Sequence, residues 1–277
     1  MENVLMIDSE AFAAAFGRGP LAVGHRLTEH NMLTLEAIAE LADFLPPSKV
    51  EHNRGDVPAL LADGDAPRIE ATPGEIARGI ETNGCWMVLK NIELEPDYER
   101  LLGDSLDELV PYLDPREGRM LQREGFIFLS APGSITPSHV DPEHNLLLQV
   151  RGSKEMNVGS FPDSETAQRE LERFYSGGER NIPVLPSETQ TFDLDPGDGV
   201  YVPPSAPHWV KNGSTVSVSL SITFRTPASQ RIAQVHALNA RLRRLHLSPR
   251  PPADGLADRA KATLYRSLKP LAGRGRG

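Results

Sequence analysis

The sequence predicts a mainly β protein with flanking helices (α+β), built around a double-stranded β-helix barrel of the jelly-roll type. Two observations carry this prediction. Short runs of apolar and β-branched residues crowd the second half of the chain, and helical spacing of apolar residues marks both ends. We divide the 277 residues into an N-terminal helical or mixed segment that packs on the barrel (1–118), the barrel (119–226) and a C-terminal helical, basic tail (227–277).

The predicted strands lie in the second half, between turns rich in Gly, Pro and Asn. They cover residues 125–130, 145–150, 155–159, 199–202 and 216–224. The last of these alternates strictly between apolar and polar residues, as a strand with one apolar and one polar face does. Short strands with long excursions favour a jelly roll over a parallel sheet. Residues 163–175 are predicted to form a helix inserted between strands, closed by Gly177 and Gly178.

The sequence of the N-terminal half predicts mixed helices, which we expect to act as a scaffold for the barrel. Apolar residues at helical spacing mark a helix over 35–45, before two prolines. A capping box at 72–75 starts a second helix, which should end near 83–84. Residues 86–89 indicate a buried strand, and 97–113 another helix.

The C-terminal segment predicts an amphipathic helix over 232–245, a break at the prolines of 249–252, and a second short helix over 258–268. Such a helix pair either packs on its own domain or forms a dimer seam. Residues 273–277 lack a strand or helix context, and we expect a disordered end there.

Charge is distributed unevenly along the chain. The net charge is −9, yet from Arg225 onward twelve Lys and Arg residues face only two acidic ones. The acidic remainder argues against a broad nucleic-acid surface. The basic tail fits a solvated helix face or one packed on the acidic body, with RNA, acidic lipid or an acidic partner as the alternative.

Composition bounds the chemistry and the compartment. Cys85 is the only cysteine, which excludes disulfide frameworks and cysteine-based zinc sites and fits a reducing environment. No apolar run is long enough to span a bilayer, and the first residues lack the features of a signal peptide. We therefore expect a cytoplasmic protein.

Three residues form a candidate metal site. His139 and Asp141 are two residues apart, so on an extended segment both side chains project to one face. His208 follows a turn, a predicted strand and a proline-constrained loop, which would hold it at a barrel mouth. Two histidines and one carboxylate occupy one face of an octahedron and suit Fe(II), with positions left for a cosubstrate and O₂. These three residues alone are equally compatible with no metal site, in which His139 and Asp141 are solvated surface residues and His208 is an ordinary loop histidine.

Lys154 adds a possible anion site. It lies thirteen residues beyond Asp141, on the next part of the predicted barrel wall. A lysine that points inward is costly unless it meets an anion, and the distal carboxylate of 2-oxoglutarate is such an anion. The alternative is a solvated lysine in a hairpin.

The whole stretch 136–154 resembles the JmjC/cupin-like 2-oxoglutarate oxygenases, with a pattern similar to the asparaginyl hydroxylase that inhibits hypoxia-inducible factor. That pattern is T-P-x-H-x-D, then N, then Q-x-x-G-x-K, and finally G-D-x-x-Y-x-P before a distal histidine. Residues 136–154 and 197–208 fill every position of it. The resemblance covers roughly residues 119–226, whereas the two ends match the family architecture only loosely.

The resemblance implies a set of site residues. His139, Asp141 and His208 would bind Fe(II), Thr136 and Lys154 would hold the distal carboxylate of 2-oxoglutarate, and Asn145 would lie near the cosubstrate or the iron. No catalytic side chain beyond the metal ligands is implied. It also implies O₂ as co-reactant, a protein, peptide or small molecule as substrate, and a possible homodimer through the C-terminal helices.

Alternatives stay open. Arg225, on a late strand, would replace Lys154 as the cosubstrate anchor if this chain followed other barrel oxygenases. His144 imitates a ligand, but on a strand it would point away from the metal pair. Two further functions compete: a non-catalytic metal-binding cupin that acts as sensor or scaffold, and a metal-dependent cupin enzyme that does not use 2-oxoglutarate.

Overall fold

The computed structural model describes residues 3–54, 71–253 and 255–272. The helices are α1 (Ser9–Ala15), α2 (Leu35–Phe44), α3 (Pro73–Arg78), α4 (Pro96–Asp107), α5 (Ser164–Tyr175), α6 (Pro227–Arg244) and α7 (Leu256–Ala272). The strands are β1 (Leu5–Met6), β2 (Leu21–His25), β3 (Val50–Arg54), β4 (Cys85–Lys90), β5 (Leu121–Ser130), β6 (Ile135–His139), β7 (His144–Arg151), β8 (Lys154–Ser160), β9 (Ser187–Leu194), β10 (Asp198–Val202), β11 (His208–Asn212) and β12 (Ser217–Arg225). Residues 273–277, predicted as a disordered end, lie outside the described residues.

The strands form two antiparallel sheets. The larger sheet has the order β1-β2-β10-β7-β12-β5-β4-β3, and the smaller sheet has the order β6-β11-β8-β9. Apolar side chains from both sheets meet in one buried cluster, the barrel interior: Leu147, Met156, Val158, Phe192, Leu194, Val200, Val202 and Val210. Several neighbouring strands, such as β7 and β12 or β6 and β11, are far apart in sequence, as in a jelly roll. The predicted β-rich barrel with flanking helices is confirmed.

The opposite face of the larger sheet carries the main apolar core. Side chains of β5, β7 and β12 pack there against the N-terminal helices, for example Leu220 against a cluster that includes Phe12 and Ile38. At the usual 25 cal/mol per Å² of apolar surface, this core is the larger source of stability. The N-terminal half is therefore support for the barrel, as its helical pattern predicted.

Strand β12 shows how one sequence pattern serves both faces. Its even-numbered residues, such as Leu220 and Ile222, lie in the main core. Its odd-numbered residues, such as Ser219 and Ser221, are equally buried but hydrogen-bond to β7 inside the barrel. The predicted alternation is confirmed, and the structure adds that the polar face meets protein rather than solvent.

The first half contains more β structure than the sequence predicted. Strand β2 pairs with β10, and β3 pairs with β4, so both extend the larger sheet. Their sequences gave a weak signal because β2 contains Gly24 and β3 carries Glu51, His52 and Asn53. Strand formation there depends on the pairing partner more than on local preference.

Two helix ends were predicted too late. The capping box of Thr72 and Glu75 is present, but α3 ends at Arg78, before the turns that lead to Gly84. Helix α4 ends at Asp107, and a separate 3-10 turn follows at Val110–Tyr112. Pro111 accounts for this break, because it cannot donate the backbone hydrogen bond that a continuing helix requires.

The C-terminal helices pack on the protein's own body. Arg243 of α6 pairs with Glu172 of α5 at 2.6 Å, and Arg225, just before α6, pairs with Glu143 at 2.6 Å. Part of the basic tail is thus neutralised by the acidic body, which was the favoured interpretation of its charge. No helix among the described residues is long and apolar enough to cross a membrane.

Candidate metal centre

Two neighbouring strands of the smaller sheet bring two histidines together. Strands β6 and β11 are antiparallel, and their register places His139 directly opposite His208. The two imidazole centroids are 4.0 Å apart, and both side chains are buried. Sheet pairing thus brings together two histidines that lie 69 residues apart in the sequence.

The backbone fixes which nitrogen of each imidazole is free. Nδ1 of His139 lies 2.7 Å from the carbonyl oxygen of Pro137, and Nδ1 of His208 lies 2.9 Å from that of Ala206. A carbonyl only accepts, so each Nδ1 must carry the proton and donate it. In a neutral ring Nε2 is then the unprotonated nitrogen, and its lone pair is available to a metal, as metal-ligating histidines require.

Asp141 completes the cluster. Its Oδ2 lies 3.7 Å from Nε2 of His139 and 3.5 Å from Nε2 of His208. The three donor atoms all lie within 4.8 Å of one another. These separations exceed a good hydrogen bond but allow all three atoms to share one ion. The donor set therefore fits a divalent metal, and two imidazoles with one carboxylate leave the remaining positions open.

The protonation states also fit a metal. Burial lowers the pKa of His139 to about 3, and the neighbouring His208 adds to this, while Asp141 opposes it. Burial alone would raise the pKa of Asp141, but Arg180 and the two histidines outweigh it and hold that pKa below its ordinary value. At neutral pH the site is thus a carboxylate beside a neutral His139. This is the protonation that metal binding needs without releasing protons first.

Lys154 lies inside the barrel, as predicted. It opens β8 on the same face as Met156 and Val158, which belong to the barrel-interior cluster. Only 6% of it is exposed, and burial lowers its pKa to about 7. None of the residues that the structure describes forms an ion pair or a side-chain hydrogen bond with its ammonium. Burial of a lysine without an acceptor is costly, so the space around Lys154 favours the binding of an anion.

The other two predicted cosubstrate residues differ in placement. Asn145 is buried on the barrel face of β7, where its Oδ1 accepts a hydrogen bond from Ser221 at 2.8 Å. Thr136 lies on β6, the edge strand of the smaller sheet, opposite Val210, and its side chain is exposed. Asn145 thus lies in the polar part of the barrel interior, whereas Thr136 lies on the edge strand and is exposed.

His144 is buried on the other face of the larger sheet, as predicted. Its ring stacks between Phe16 and Phe224 at centroid distances of 4.7 and 4.9 Å, and its Nδ1 lies 2.8 Å from the Tyr201 hydroxyl. It therefore belongs to the main core rather than to the metal cluster.

Arg225, the alternative anchor, is already paired. Its guanidinium donates two hydrogen bonds to Oε1 of Glu143, at 2.6 and 3.1 Å. It also lies at the opposite end of β12 from Ser217, which is close to Gly152, two residues before Lys154. The buried and unpaired Lys154 is the better anion anchor on both counts.

Sequence reasoning missed Arg180. One of its guanidinium nitrogens lies 3.3 Å from Oδ1 of Asp141. Arg180 stands 39 residues beyond Asp141 in a glycine-rich stretch, without a motif that would mark it. Only the pairing of residues 180–182 alongside β6 brings it to the site.

The site lies within a segment that matches a known family. Residues 117–232 match the JmjC domain. The matched residues include every predicted site residue.

Two curated relatives are similar to part of this chain. The Jumonji C domain-containing protein 5 of Drosophila melanogaster is 30% identical over 108 residues, which are 35% of this chain and 26% of that protein. The lysine-specific demethylase JMJ30 of Arabidopsis thaliana is 30% identical over 155 residues, which are 49% of this chain and 34% of that protein. The chain thus spans about a third or less of the length of these relatives.

Solved structures share the overall fold. The structure of ycfD from Escherichia coli is similar over 100% of this chain and 70% of its own, with a TM-score of 0.54 and 18% identity. A second structure of this ribosomal oxygenase, in complex with cobalt and 2-oxoglutarate, covers 99% of this chain and 69% of its own, with a TM-score of 0.52 and 18% identity. At this identity the likeness shows that the two chains share a fold.

Proposed function

We propose that this protein is an Fe(II)- and 2-oxoglutarate-dependent oxygenase, a hydroxylase that releases succinate and CO₂. One observation carries the proposal: a cluster of His139, Asp141 and His208 with free donor atoms shares a barrel with a buried, unpartnered Lys154. The metal cluster alone suits many cupins. The lysine adds a site for a carboxylate at a distance from the metal.

The distance between the two parts supports a dicarboxylate. Strands β8 and β11 pair so that Val158 lies opposite His208 and Lys154 lies opposite Asn212. Four residues of strand separate these levels, about 13 Å at the backbone. A long lysine side chain and an elongated five-carbon diacid together cover this interval. Thr136, on the neighbouring edge strand, is proposed as a second contact, and Asn145 as a polar neighbour of the cosubstrate.

The protein's own residues perform binding and positioning. The carbonyls of Pro137 and Ala206 hold the two imidazoles in the tautomer that presents Nε2 to the ion. Lys154 draws the far carboxylate into the barrel, and its pKa should rise when that carboxylate binds. Apolar neighbours such as Met156 and Phe192 exclude water from the same space. When bound, Fe(II) supplies the activation of O₂ that couples 2-oxoglutarate decarboxylation to oxidation of the substrate.

We propose a protein or peptide side chain as the substrate, with a small molecule as the alternative. Two proteins similar to this chain support the first choice, since one is described as a lysine-specific demethylase and the other as a ribosomal oxygenase. The proposed division is support from residues 1–118, chemistry from 119–226 and a possible homodimer contact in 227–277. We propose a cytoplasmic location, because a single cysteine, Cys85, fits a reducing environment.

Succinate formation tests the proposal. The purified chain, supplied with Fe(II), ascorbate, O₂ and 2-oxoglutarate, should produce succinate even without its substrate, at a slow uncoupled rate. Lys154→Met should abolish this rate because it removes the buried cation. Lys90→Met is the matched control, since Lys90 pairs with Glu51 on the far edge of the larger sheet and should be silent.

The outcomes separate the competing functions. A chain that binds Fe(II) but neither binds nor consumes 2-oxoglutarate would be a sensor or scaffold cupin. A chain that oxidises or isomerises a substrate without 2-oxoglutarate would be a different metal-dependent cupin. In both cases Lys154→Met would leave the metal-dependent property unchanged.

A further inference from the structure

The excursion between β8 and β9 returns to the metal site after helix α5. Residues 180–182 run antiparallel to the end of β6: the Val140 amide donates to the Arg180 carbonyl at 3.2 Å, and the Ile182 amide donates to the Ser138 carbonyl at 2.9 Å. The segment therefore forms a short additional strand beside the first two ligands. Its side chains are placed by backbone pairing rather than by a free loop.

Helix α5 holds this segment at its other edge. Arg173 donates from Nη1 to the Glu179 carbonyl at 3.0 Å and from Nη2 to the Asn181 carbonyl at 2.6 Å. Its Nε donates to the carboxylate of Glu170, which is 3% exposed. Charge-assisted hydrogen bonds anchored on a buried carboxylate are specific in geometry. The backbone on both sides of Arg180 is thus fixed from two directions.

Arg180 reaches one particular oxygen of Asp141. Its guanidinium lies 3.3 Å from Oδ1, whereas Oδ2 is the oxygen that faces Nε2 of His139 and of His208. The carboxylate is only 23% exposed, and Arg180 is the cation paired with it among the described residues. The two oxygens of Asp141 therefore have different partners.

We infer that Arg180 is a positioning residue that occupies Oδ1 of Asp141 and leaves Oδ2 alone for the metal. This inference rests on the proposed metal site and names the part of the protein that sets its carboxylate geometry. Without Arg180 the carboxylate can rotate, so both oxygens become available to the ion or to water. The excursion that carries α5 then has a function at the metal centre besides connecting two strands.

A simple charge effect predicts the opposite sign. Arg180 is a cation beside a site for a divalent cation, so its removal would strengthen metal binding if only Coulomb repulsion mattered. Arg180 is 50% exposed, and solvent screens that repulsion. Loss of an outer partner of a ligand typically weakens metal affinity by about 10- to 100-fold. The sign of the change in affinity therefore decides between the two accounts.

Cobalt titration provides a test that does not depend on activity. Co(II) affinity and the visible Co(II) absorption spectrum are measured for the full chain, Arg180→Gln, Arg180→Lys and Arg169→Gln. The last is the matched control, because Arg169 lies on helix α5 just before this segment, its ion pair among the described residues is with Glu170 rather than with Asp141, and its replacement removes the same charge.

We expect Arg180→Gln to bind Co(II) about 10- to 100-fold more weakly, with an altered spectrum. Arg180→Lys, which keeps the charge without the planar fork, should fall in between, and Arg169→Gln should match the unmodified chain. Equal or tighter binding by Arg180→Gln with an unchanged spectrum would overturn the inference and leave the metal site standing. An unmodified chain that binds no Co(II) would overturn the proposed function itself.

Discussion

The two faces of the larger sheet differ in chemistry although the same strands build both: the outer face is apolar, whereas the barrel face mixes apolar and polar side chains. On the outer face, side chains such as Leu146 and Leu220 pack into a continuous apolar core under the N-terminal helices. On the barrel face, Asn145, Gln149 and Ser219 form a hydrogen-bonded polar wall opposite the smaller sheet. The outer face contributes stability through apolar burial. The barrel face instead carries polar side chains that can line a binding site.

Buried histidines on the two sides make the difference concrete. Burial lowers the pKa of both His139 and His144 to about 3. His144 is stacked between aromatic rings, and its Nε2 has no hydrogen-bond partner in the described structure. Nε2 of His139 instead faces a second imidazole and a carboxylate. Burial and a shifted pKa do not identify a site; the convergence of free donor atoms does.

The largest expected effect separates these two histidines by metal affinity. His139→Ala removes a ligand, so Co(II) binding should weaken by more than about 100-fold, beyond the cost of losing an outer partner. His144→Phe keeps the aromatic stack and should bind Co(II) like the unmodified chain. Both are measured by calorimetric titration. Comparable losses in the two variants would break the division between core and site.

A neighbouring pair on β12 separates the faces by stability. Leu220→Ala should lower the free energy of unfolding by about 2–5 kcal/mol, because it empties space in the main core. Ser221→Ala removes one hydrogen bond to Asn145 and should cost about 1 kcal/mol. Denaturant titrations of both variants measure these changes. Equal losses would mean that the barrel face contributes to stability as the outer face does.

Lys154 gives a further comparison of the two faces. A buried binding-site residue should lower the stability of the protein when 2-oxoglutarate is not bound. A buried lysine without a partner is desolvated, so Lys154→Met should raise the free energy of unfolding by about 1–3 kcal/mol. Thermal unfolding without 2-oxoglutarate measures this change, and Lys90→Met serves as the exposed control. A destabilised Lys154→Met would show that an acceptor satisfies the ammonium within the protein.

A separate effect concerns the acid sensitivity of the outer face. The pKa of His144 is lowered to about 3 in the folded protein, whereas an unfolded histidine titrates near 6.5. Between these values the unfolded chain binds more protons, so stability falls as the pH falls, by at most about 1.4 kcal/mol per pH unit. His144→Phe should flatten the slope of unfolding free energy between pH 6 and 4. His246→Asn, at an exposed residue with a φ of +61°, should not.

Much of this arrangement was predictable because the spacing of neighbouring residues determines it. The His-x-Asp pair, the alternation of 216–224 and the capping box at Thr72 each follow from rules that act over a few residues. Lys154 was predicted to point inward, and the structure confirms its burial.

What the sequence did not predict depends on distant partners. Strands β2 and β3 exist because β10 and β4 offer them edges, and neither has a strong pattern of its own. Arg180 reaches Asp141 only because residues 180–182 pair with β6, which no spacing rule encodes. The glycine-rich stretch around it is typical of an ordinary loop.

The central claim is that the barrel face binds 2-oxoglutarate between the metal cluster and Lys154. Calorimetric titration of 2-oxoglutarate into the chain loaded with Mn(II) tests it directly, without turnover. We predict clear binding by the unmodified chain and a loss of about 2 kcal/mol or more in Lys154→Met, roughly 30-fold in affinity, as for other truncated partners of a buried charge pair. Equal affinities in the two proteins would contradict the account.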